Sequence, residues 1–544
     1  MTLEKNTMNE SFRKNILAKP IYWISICFIT CLSFLFDLTN RTISIDDLAR
    51  PHYGRDGKAM LAATRWGMQV WNDLLSYTEF TPFIDKYMGI FFFVLAAILF
   101  SRVFYAYFRE SKHSLALCTI FSCLYISYPL INEIWNYNGA NAVLAGNATL
   151  VSVSILILYN STKFIIKRTL IATALLSIVV SSYEASAFMY VTAVLSILLL
   201  DYIIFNRSNW IQRGLQFAIP LIFAIVIRFV IGFELLKFYH LEYTPNGTTG
   251  IYWSLNNLSP QIKAVLDYTL QYYFVRGLIY LPIAVFVFAL LCGTICTTVI
   301  CIKKRNFIFA LIYILICLSL FFQSMIQGNL MPYRTAQTIQ YFTCVSLTMT
   351  GFALNCLKKK ELAVIFFALT GYISYRQAAY LNKTLALNNQ RSDNEAALVY
   401  DIGTRLQSFD TKKTVVFTGE ISLGNNIDRQ IKPNQKSLFG YLYRKIAIRM
   451  NWDYDKTEIY STDVNSLLNW NIMSFDSQRQ MKEYFSYYGF DIQTLDPMTW
   501  RIHNDYLKQA VDTVGELHPL DILDLGDLLL VYLGPDIITR EDIE

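Results

Sequence analysis

Charge is scarce in this chain of 544 residues: only 16% are Asp, Glu, Lys or Arg, where soluble globular proteins carry about 25%. That shortfall, with 54% hydrophobic residues, excludes an ordinary water-solvated domain for most of the length and points to lipid as the solvent. The net charge of +6 is small for the length, and no basic repeat or zinc-finger spacing occurs, so nucleic acid is not an expected partner. There are only five histidines, widely scattered, which speaks against a histidine-rich metal centre. All ten cysteines, from Cys27 to Cys356, fall inside apolar runs. There a thiol acts as a small packing residue, so neither a disulfide framework nor a thiolate metal site is expected. No internal repeat or low-complexity tract stands out, and no metal or cofactor is expected.

What the chain has instead is long apolar runs. A bilayer core takes about 20 apolar residues in helix to cross, and roughly eleven segments meet that need. They lie near 21–38, 87–108, 114–133, 140–159, 169–183, 186–205, 214–233, 278–302, 307–325, 336–356 and 361–377. The fifth and sixth are divided at Ser182-Tyr183-Glu184. No small-residue cleavage site follows the first run, which reads as a retained span rather than a signal peptide. Lys and Arg set the orientation. Every second loop is basic: Arg109 to Lys112, Lys163 with Lys167-Arg168, Arg207 with Arg213, Lys303-Lys304-Arg305 and Lys358-Lys359-Lys360. The N-terminus, residues 1–20, is therefore placed in the cytoplasm, and an odd number of spans places the C-terminus outside.

The expected fold is an α-helical polytopic membrane domain over 21–377, with outer loops at 39–86 and 234–277, followed by an extracytoplasmic α/β domain over 378–544. In the first loop Ala63, Trp66, Val70, Trp71 and Leu74 recur at helical spacing. They predict a helix lying in the interface with its tryptophans towards lipid. In the tail, helical spacing over Asn388–Phe409, a β-branched run at Thr414–Thr418, a helix near 474–487 and a late strand over Asp527–Leu533 suggest mixed α and β structure.

Asp46-Asp47 is the sharpest chemical feature: the only Asp-Asp doublet, eight residues beyond the first span. Adjacent carboxylates at a membrane surface can divide labour, one removing a proton from an acceptor hydroxyl and the other orienting it. They also read as solvated loop acids. Arg50, Arg55, Lys58 and Arg65 follow on the outer side, against the positive-inside trend. A guanidinium holds phosphate oxygens in a bidentate fork, so this cluster suits a lipid phosphate as well as ordinary headgroups. Gly54-Arg55-Asp56-Gly57-Lys58 lacks the spacing of a P-loop. Further polar groups stand at the outer mouths of spans: Glu133 with Asn132 and Asn136, Tyr183-Glu184, and Tyr333-Arg334. Arg228 falls within the seventh span. Ionisable residues at membrane depth are functional candidates or helix-pairing groups.

A single first span, Asp46-Asp47 in the loop after it, a helix in that loop and an outer C-terminal region form a layout that resembles the GT-C superfamily of membrane glycosyltransferases. Within it the chain looks most like the bacterial serotype-converting O-antigen glucosyltransferases. Ser44-Ile45-Asp46-Asp47, Thr64-Arg65-Trp66-Gly67, Ser182-Tyr183-Glu184-Ala185 and Arg391-Ser392-Asp393-Asn394-Glu395 carry the resemblance. The family's pattern has Gly before Arg-Trp, where this chain has Thr64. The resemblance implies inverting transfer of a hexose, glucose by family, from a polyprenyl-phosphate donor to an O-antigen or other surface glycan, in the bacterial inner membrane and without metal. Asp46 or Asp47 would be the base. Arg65, Arg334, Arg55 and Lys58 would bind the donor phosphate, and Glu184, Tyr183, Glu133 and Trp66 the sugar or acceptor.

Two other classes fit an outer-face membrane protein. An O-antigen polymerase or ligase would rely on arginines in mid-chain loops and dispense with Asp46-Asp47. A transporter or flippase of lipid-linked glycan would favour inverted repeats and paired broken helices, which are not evident.

Overall fold

The computed structural model describes residues 9–40, 42, 58–75, 82–129, 132–135, 138–159, 165–205, 210–244, 253–254, 256, 258–273, 280–328, 335, 337–356, 360–410, 412–418, 478–495, 504–534 and 537–539. Helices dominate up to residue 406. In chain order they are α1 (Pro20–Thr39), α2 (Lys58–Ala62), α3 (Trp66–Leu74), α4 (Pro82–Phe108), α5 (Ser114–Ile126), α6 (Asn132–Trp135), α7 (Asn138–Tyr159), α8 (Ile166–Ser182) and α9 (Glu184–Phe205). There follow α10 (Trp210–Phe238), α11 (Leu258–Tyr273), α12 (Tyr280–Lys304), α13 (Ile308–Ser319), α14 (Phe322–Gln327), α15 (Gln337–Cys356) and α16 (Lys360–Leu406).

Described helices overlap each of the eleven apolar segments, but two segments are broken: 114–133 holds α5 and the start of α6, and 307–325 holds α13 and most of α14. Six of the described helices are long and apolar enough to cross a membrane: Pro20–Thr39, Phe83–Phe108, Asn141–Tyr159, Glu184–Phe205, Ile211–Phe238 and Ala284–Lys304. The chain is therefore a helical membrane protein. Helix α10 carries a broad exposed apolar surface, including Ile222, Phe223, Val226, Phe229, Val230 and Phe233, which in water would be strongly unfavourable and in lipid is matched to its solvent. The interior is closely packed with aromatic side chains around Phe93, Phe100, Tyr125 and Tyr341. The nine cysteines whose side chains are described are free thiols.

Besides the contacts that Glu184 makes, two buried ion pairs among the described residues sit at the ends of spans. Lys86 Nζ donates to Asp37 Oδ1 at 2.7 Å and to the Asp37 carbonyl at 3.2 Å, joining the end of α1 to the start of α4. Towards the far end of α9 from Glu184, Asp201 accepts from Tyr107 at 2.9 Å and from Arg213 Nε at 3.4 Å. Charges at such depth persist only with partners.

The loop helix α3 corrects the expectation of tryptophans facing lipid. Trp71 is only 4% exposed, and its Nε1 donates to Asn147 Oδ1 at 3.0 Å. Its ring lies where a Cβ on Gly146 would come within 2.5 Å. Trp66 donates to the Arg228 carbonyl at 3.2 Å. Only Val70 and Leu74 of the predicted apolar face remain exposed. The spacing identified an apolar face, but other helices, not lipid, cover its tryptophans, because each indole N–H finds an acceptor inside the protein. Gly67 makes the seating possible: a Cβ there would collide with Ser181 Oγ, Ser182 Oγ and the Ile178 carbonyl of α8. Gly67→Ala is therefore expected to lower stability by about 1–3 kcal/mol by overpacking, read as a lower unfolding temperature in detergent. Gly371→Ala, where a Cβ meets nothing within 4 Å, is the control and should not destabilise. Equal, unshifted unfolding temperatures would refute the close seating of α3.

Helix α16 runs on past residue 377, where the apolar run ends. At 1.5 Å per residue its 47 residues span about 70 Å, more than twice a bilayer core of about 30 Å. Leu362, Val364, Ile365 and Leu369 are exposed near its start, whereas Val399, Ile402 and Leu406 near its end are buried. Those last residues join Val415, Phe417, Phe485 and Val531 in a separate core. There β1 (Thr414–Thr418) lies parallel to β2 (Gln493–Thr494) and to β5 (Leu528–Tyr532), and β4 (Ile522–Asp524) closes antiparallel on β5, giving the order β2-β1-β5-β4. Beside the sheet lie α17 (Gln478–Tyr487) and α18 (Asn504–Val514), and β3 (Glu516–Leu517) pairs with β6 (Ile538–Thr539). Lys413 Nζ reaches both oxygens of Asp524 at 2.6 Å, which with the Gly526 N–H holds that carboxyl below the usual range.

Candidate functional site

The site begins at the corner between α2 and α3. Thr64 N–H donates to the Leu61 carbonyl and Arg65 N–H to the Met60 carbonyl, each at 2.8 Å. This is the Schellman closure of a helix, which places its C′ residue in the left-handed region. Thr64 has φ +59°. Glycine adopts that conformation without steric cost, whereas a β-branched residue is held there only by its surroundings. The related pattern with Gly before Arg-Trp thus has a physical reason. Here the Thr64 side chain is held against Gly232 of α10, where a Cβ would lie 2.8 Å from the threonine Cβ.

The turn aims Arg65 into the protein. It is 7% exposed; its NH2 donates to Glu184 Oε2 at 2.8 Å and its Nε approaches Oε1 at 3.4 Å. Glu184 opens α9, just after the break in the apolar run at Ser182-Tyr183. The other side of the carboxylate is taken by Arg228 NH2, 2.5 Å from Oε1. Arg228 sits one helical turn before Gly232 on the face of α10 turned away from its exposed apolar surface, and its NH2 also approaches Thr64 Oγ1 at 3.5 Å. The Tyr183 ring lies 5.7 Å from the Arg65 guanidinium carbon, within range of a cation–π contact.

Each residue of Thr64-Arg65-Trp66-Gly67 therefore has a separate task. Thr64 meets α10, Arg65 meets Glu184, Trp66 meets the Arg228 carbonyl and Gly67 meets the end of α8. Two of the four motif segments, 119 residues apart from Arg65 to Glu184, close on one another. Two buried guanidiniums share one carboxylate, and Arg228 Nε has no hydrogen-bond partner among the described residues. Such an arrangement presents fixed cationic donors in a low-dielectric setting, which suits a phosphate oxygen.

Of the predicted site residues, Arg65, Trp66, Tyr183 and Glu184 are brought together. Lys58 is exposed at the first position of α2. Glu133 lies in α6, and its side chain is outside the described residues. Asp46, Asp47, Arg55 and Arg334 also lie outside them. On α16, Ser392 and Glu395 of the fourth motif are buried, and Asn389 donates to Asp393 at 3.1 Å. Glu395 stands near Tyr484, whose phenol is pushed up by burial and further by that carboxylate. Among the described residues no group of three or more His, Cys, Asp or Glu side chains could hold a metal ion. The sequence marked Arg228 as a charge within a span, but nothing in it paired Arg228 with Glu184.

A family model described as Glucosyl transferase GtrII matches residues 35–350. That stretch contains α3, α9, α10 and the whole arginine–glutamate cluster. No curated protein and no solved structure matches the chain.

Proposed function

The chain belongs to the GtrII glucosyl transferase family, and on that premise we propose that it transfers glucose from a polyprenyl-phosphate donor to O-antigen or another surface glycan, with inversion. In this proposal the reaction takes place at the periplasmic face of a bacterial inner membrane, and the Glu184 end of the bundle faces the periplasm together with the C-terminal residues.

The observation that carries the reading is the pair Arg65 and Arg228 on Glu184. The acceptor oxygen forms its bond to the anomeric carbon as the bond from that carbon to the phosphate oxygen breaks. The electron pair leaves with polyprenyl phosphate, so negative charge grows on the phosphate. Arg65 and Arg228 stabilise that growth, and Glu184 keeps both guanidiniums in place before the donor arrives, so little reorganisation is needed at the reacting moment. Arg55, Lys58 and Arg334 add contacts to the phosphate from the neighbouring segments. The acceptor's proton passes to Asp46 or Asp47 in the loop between α1 and α2. Tyr183, Trp66 and Glu133 line the approach of the sugars. Burial of the charge cluster among helices accounts for a donor that is itself a lipid.

Purified protein in lipid, given isolated O-antigen, tests this. Glucose should transfer from synthetic polyprenyl-phosphate glucose and not from a nucleotide-linked glucose. Transfer from the nucleotide donor, or none from any polyprenyl-phosphate sugar, would overturn the donor assignment.

A further inference from the structure

Near the site, α4, α5, α6, α7 and α15 enclose a small cavity lined by Phe93, Tyr125, Trp135, Ala145, Gln337 and Gln340, among others. It has room for about one water-sized group. Its described walls are apolar apart from a few neutral polar side chains. Gln340 is satisfied, its Nε2 donating to the Tyr125 carbonyl at 2.6 Å. Two others are not. Trp135 is 1% exposed and Gln337 5% exposed, yet among the described residues Trp135 Nε1 and Gln337 Nε2 have no hydrogen-bond partner.

Buried donors without acceptors are rare in folded proteins and costly to keep. Trp135 cannot easily turn to find an acceptor, because Phe34 and Phe93 hold its ring at centroid distances of 4.7 and 5.8 Å. Gln337 is also anchored: Ser186 Oγ donates to its Oε1 at 3.3 Å. An amide turned over would leave Oε1 unmatched instead, so one polar atom of Gln337 lacks a partner among the described residues either way. Ser186 lies two residues after Glu184 on α9, so the helix that opens at the arginine cluster also anchors Gln337. Among the described residues the lining holds no charge, so it suits a neutral hydroxyl rather than a phosphate.

We propose that this cavity is a specificity pocket that receives one hydroxyl of the sugar being transferred, with Trp135 Nε1 and Gln337 Nε2 donating to its oxygen. The proposal rests on the glucosyl-transfer reading given above and adds the residues that read the sugar. A site built to hydrogen-bond a hydroxyl discriminates strongly against an analogue lacking it, since its own donors are then left unmatched.

The test uses the full chain in lipid with polyprenyl-phosphate glucose and with analogues lacking one ring or exocyclic hydroxyl at a time. Wild type should discriminate against one analogue by about 10- to 100-fold in kcat/KM. Trp135→Phe and Gln337→Leu, each removing a donor while retaining bulk, should reduce the glucose donor towards that analogue's rate and barely change the analogue itself. The discrimination ratio would then fall towards one. A resident water or a purely structural role would lower all donors in proportion and leave the ratio intact, which would overturn the proposal. The two variants are independent, so one that fails to fold leaves the other to decide. Wild-type protein inactive with every polyprenyl-phosphate sugar would sink the transfer reading and this pocket with it; normal transfer with unchanged ratios in the variants would sink the pocket alone.

Discussion

Glu184→Leu is expected to cost about 3–5 kcal/mol of folding stability, the cost of breaking a buried ion pair and leaving a charge behind. The variant leaves Arg65 and Arg228, 7% and 5% exposed, without the carboxylate that both contact at 2.5 to 2.8 Å. Arg65→Leu should cost less, because Glu184 would keep Arg228. The order of effects is the informative part: Glu184→Leu below Arg65→Leu below wild type in unfolding temperature in detergent. If Glu184→Leu unfolds at the wild-type temperature, the cluster is not desolvated, and the claim that Glu184 holds the arginines fails. Arg65→Lys should fold yet transfer poorly, since an ammonium cannot reproduce the forked contact to carboxylate and then to phosphate.

The second large effect concerns chemistry rather than folding. Under the proposed mechanism, one of Asp46→Asn and Asp47→Asn should lower transfer from polyprenyl-phosphate glucose by about 10²- to 10⁴-fold, the range for losing a general base. Its unfolding temperature should stay near wild type, because the amide keeps the side-chain shape. The other aspartate, orienting the first or the acceptor, should show a smaller loss. Full activity in both single variants would remove these residues from the mechanism. It would also favour a chemistry that relies on the arginines alone, as in the polymerase or ligase class. Losses in activity that follow losses in stability would instead mark the doublet as structural.

The two experiments separate what belongs to Glu184 from what belongs to the loop. Glu184 acts through Arg65 and Arg228, so its loss should appear in both stability and rate. The aspartates, as proposed, touch the reacting hydroxyl and should appear in rate alone.

Much of the membrane architecture was legible in the chain. Transfer of apolar side chains into lipid is close to additive along a segment, so the run from Ile21 or the run from Tyr87 is visible without knowing its neighbours, and helices lie there. Thr414–Thr418 and Leu528–Tyr532 were visible for a related reason, since short β-branched or aliphatic runs have a local preference for strand. The residues of Thr64-Arg65-Trp66-Gly67 and Ser182-Tyr183-Glu184 could also be named from the sequence, because charges and turns stand out against apolar surroundings.

What they do to one another was decided only by tertiary structure. Nothing local states that Arg65 meets Glu184, that Arg228 takes the other carboxylate oxygen, or that Trp71 turns to Asn147 and away from lipid. Those outcomes depend on how closely α3, α7, α8, α9 and α10 approach, which Gly67, Gly146 and Gly232 permit by having no side chain. Periodicity specifies a face, and lipid and protein interior look alike to an apolar face. The distinction comes from hydrogen-bond partners supplied by residues far away in the chain, and those exist only once the helices have packed.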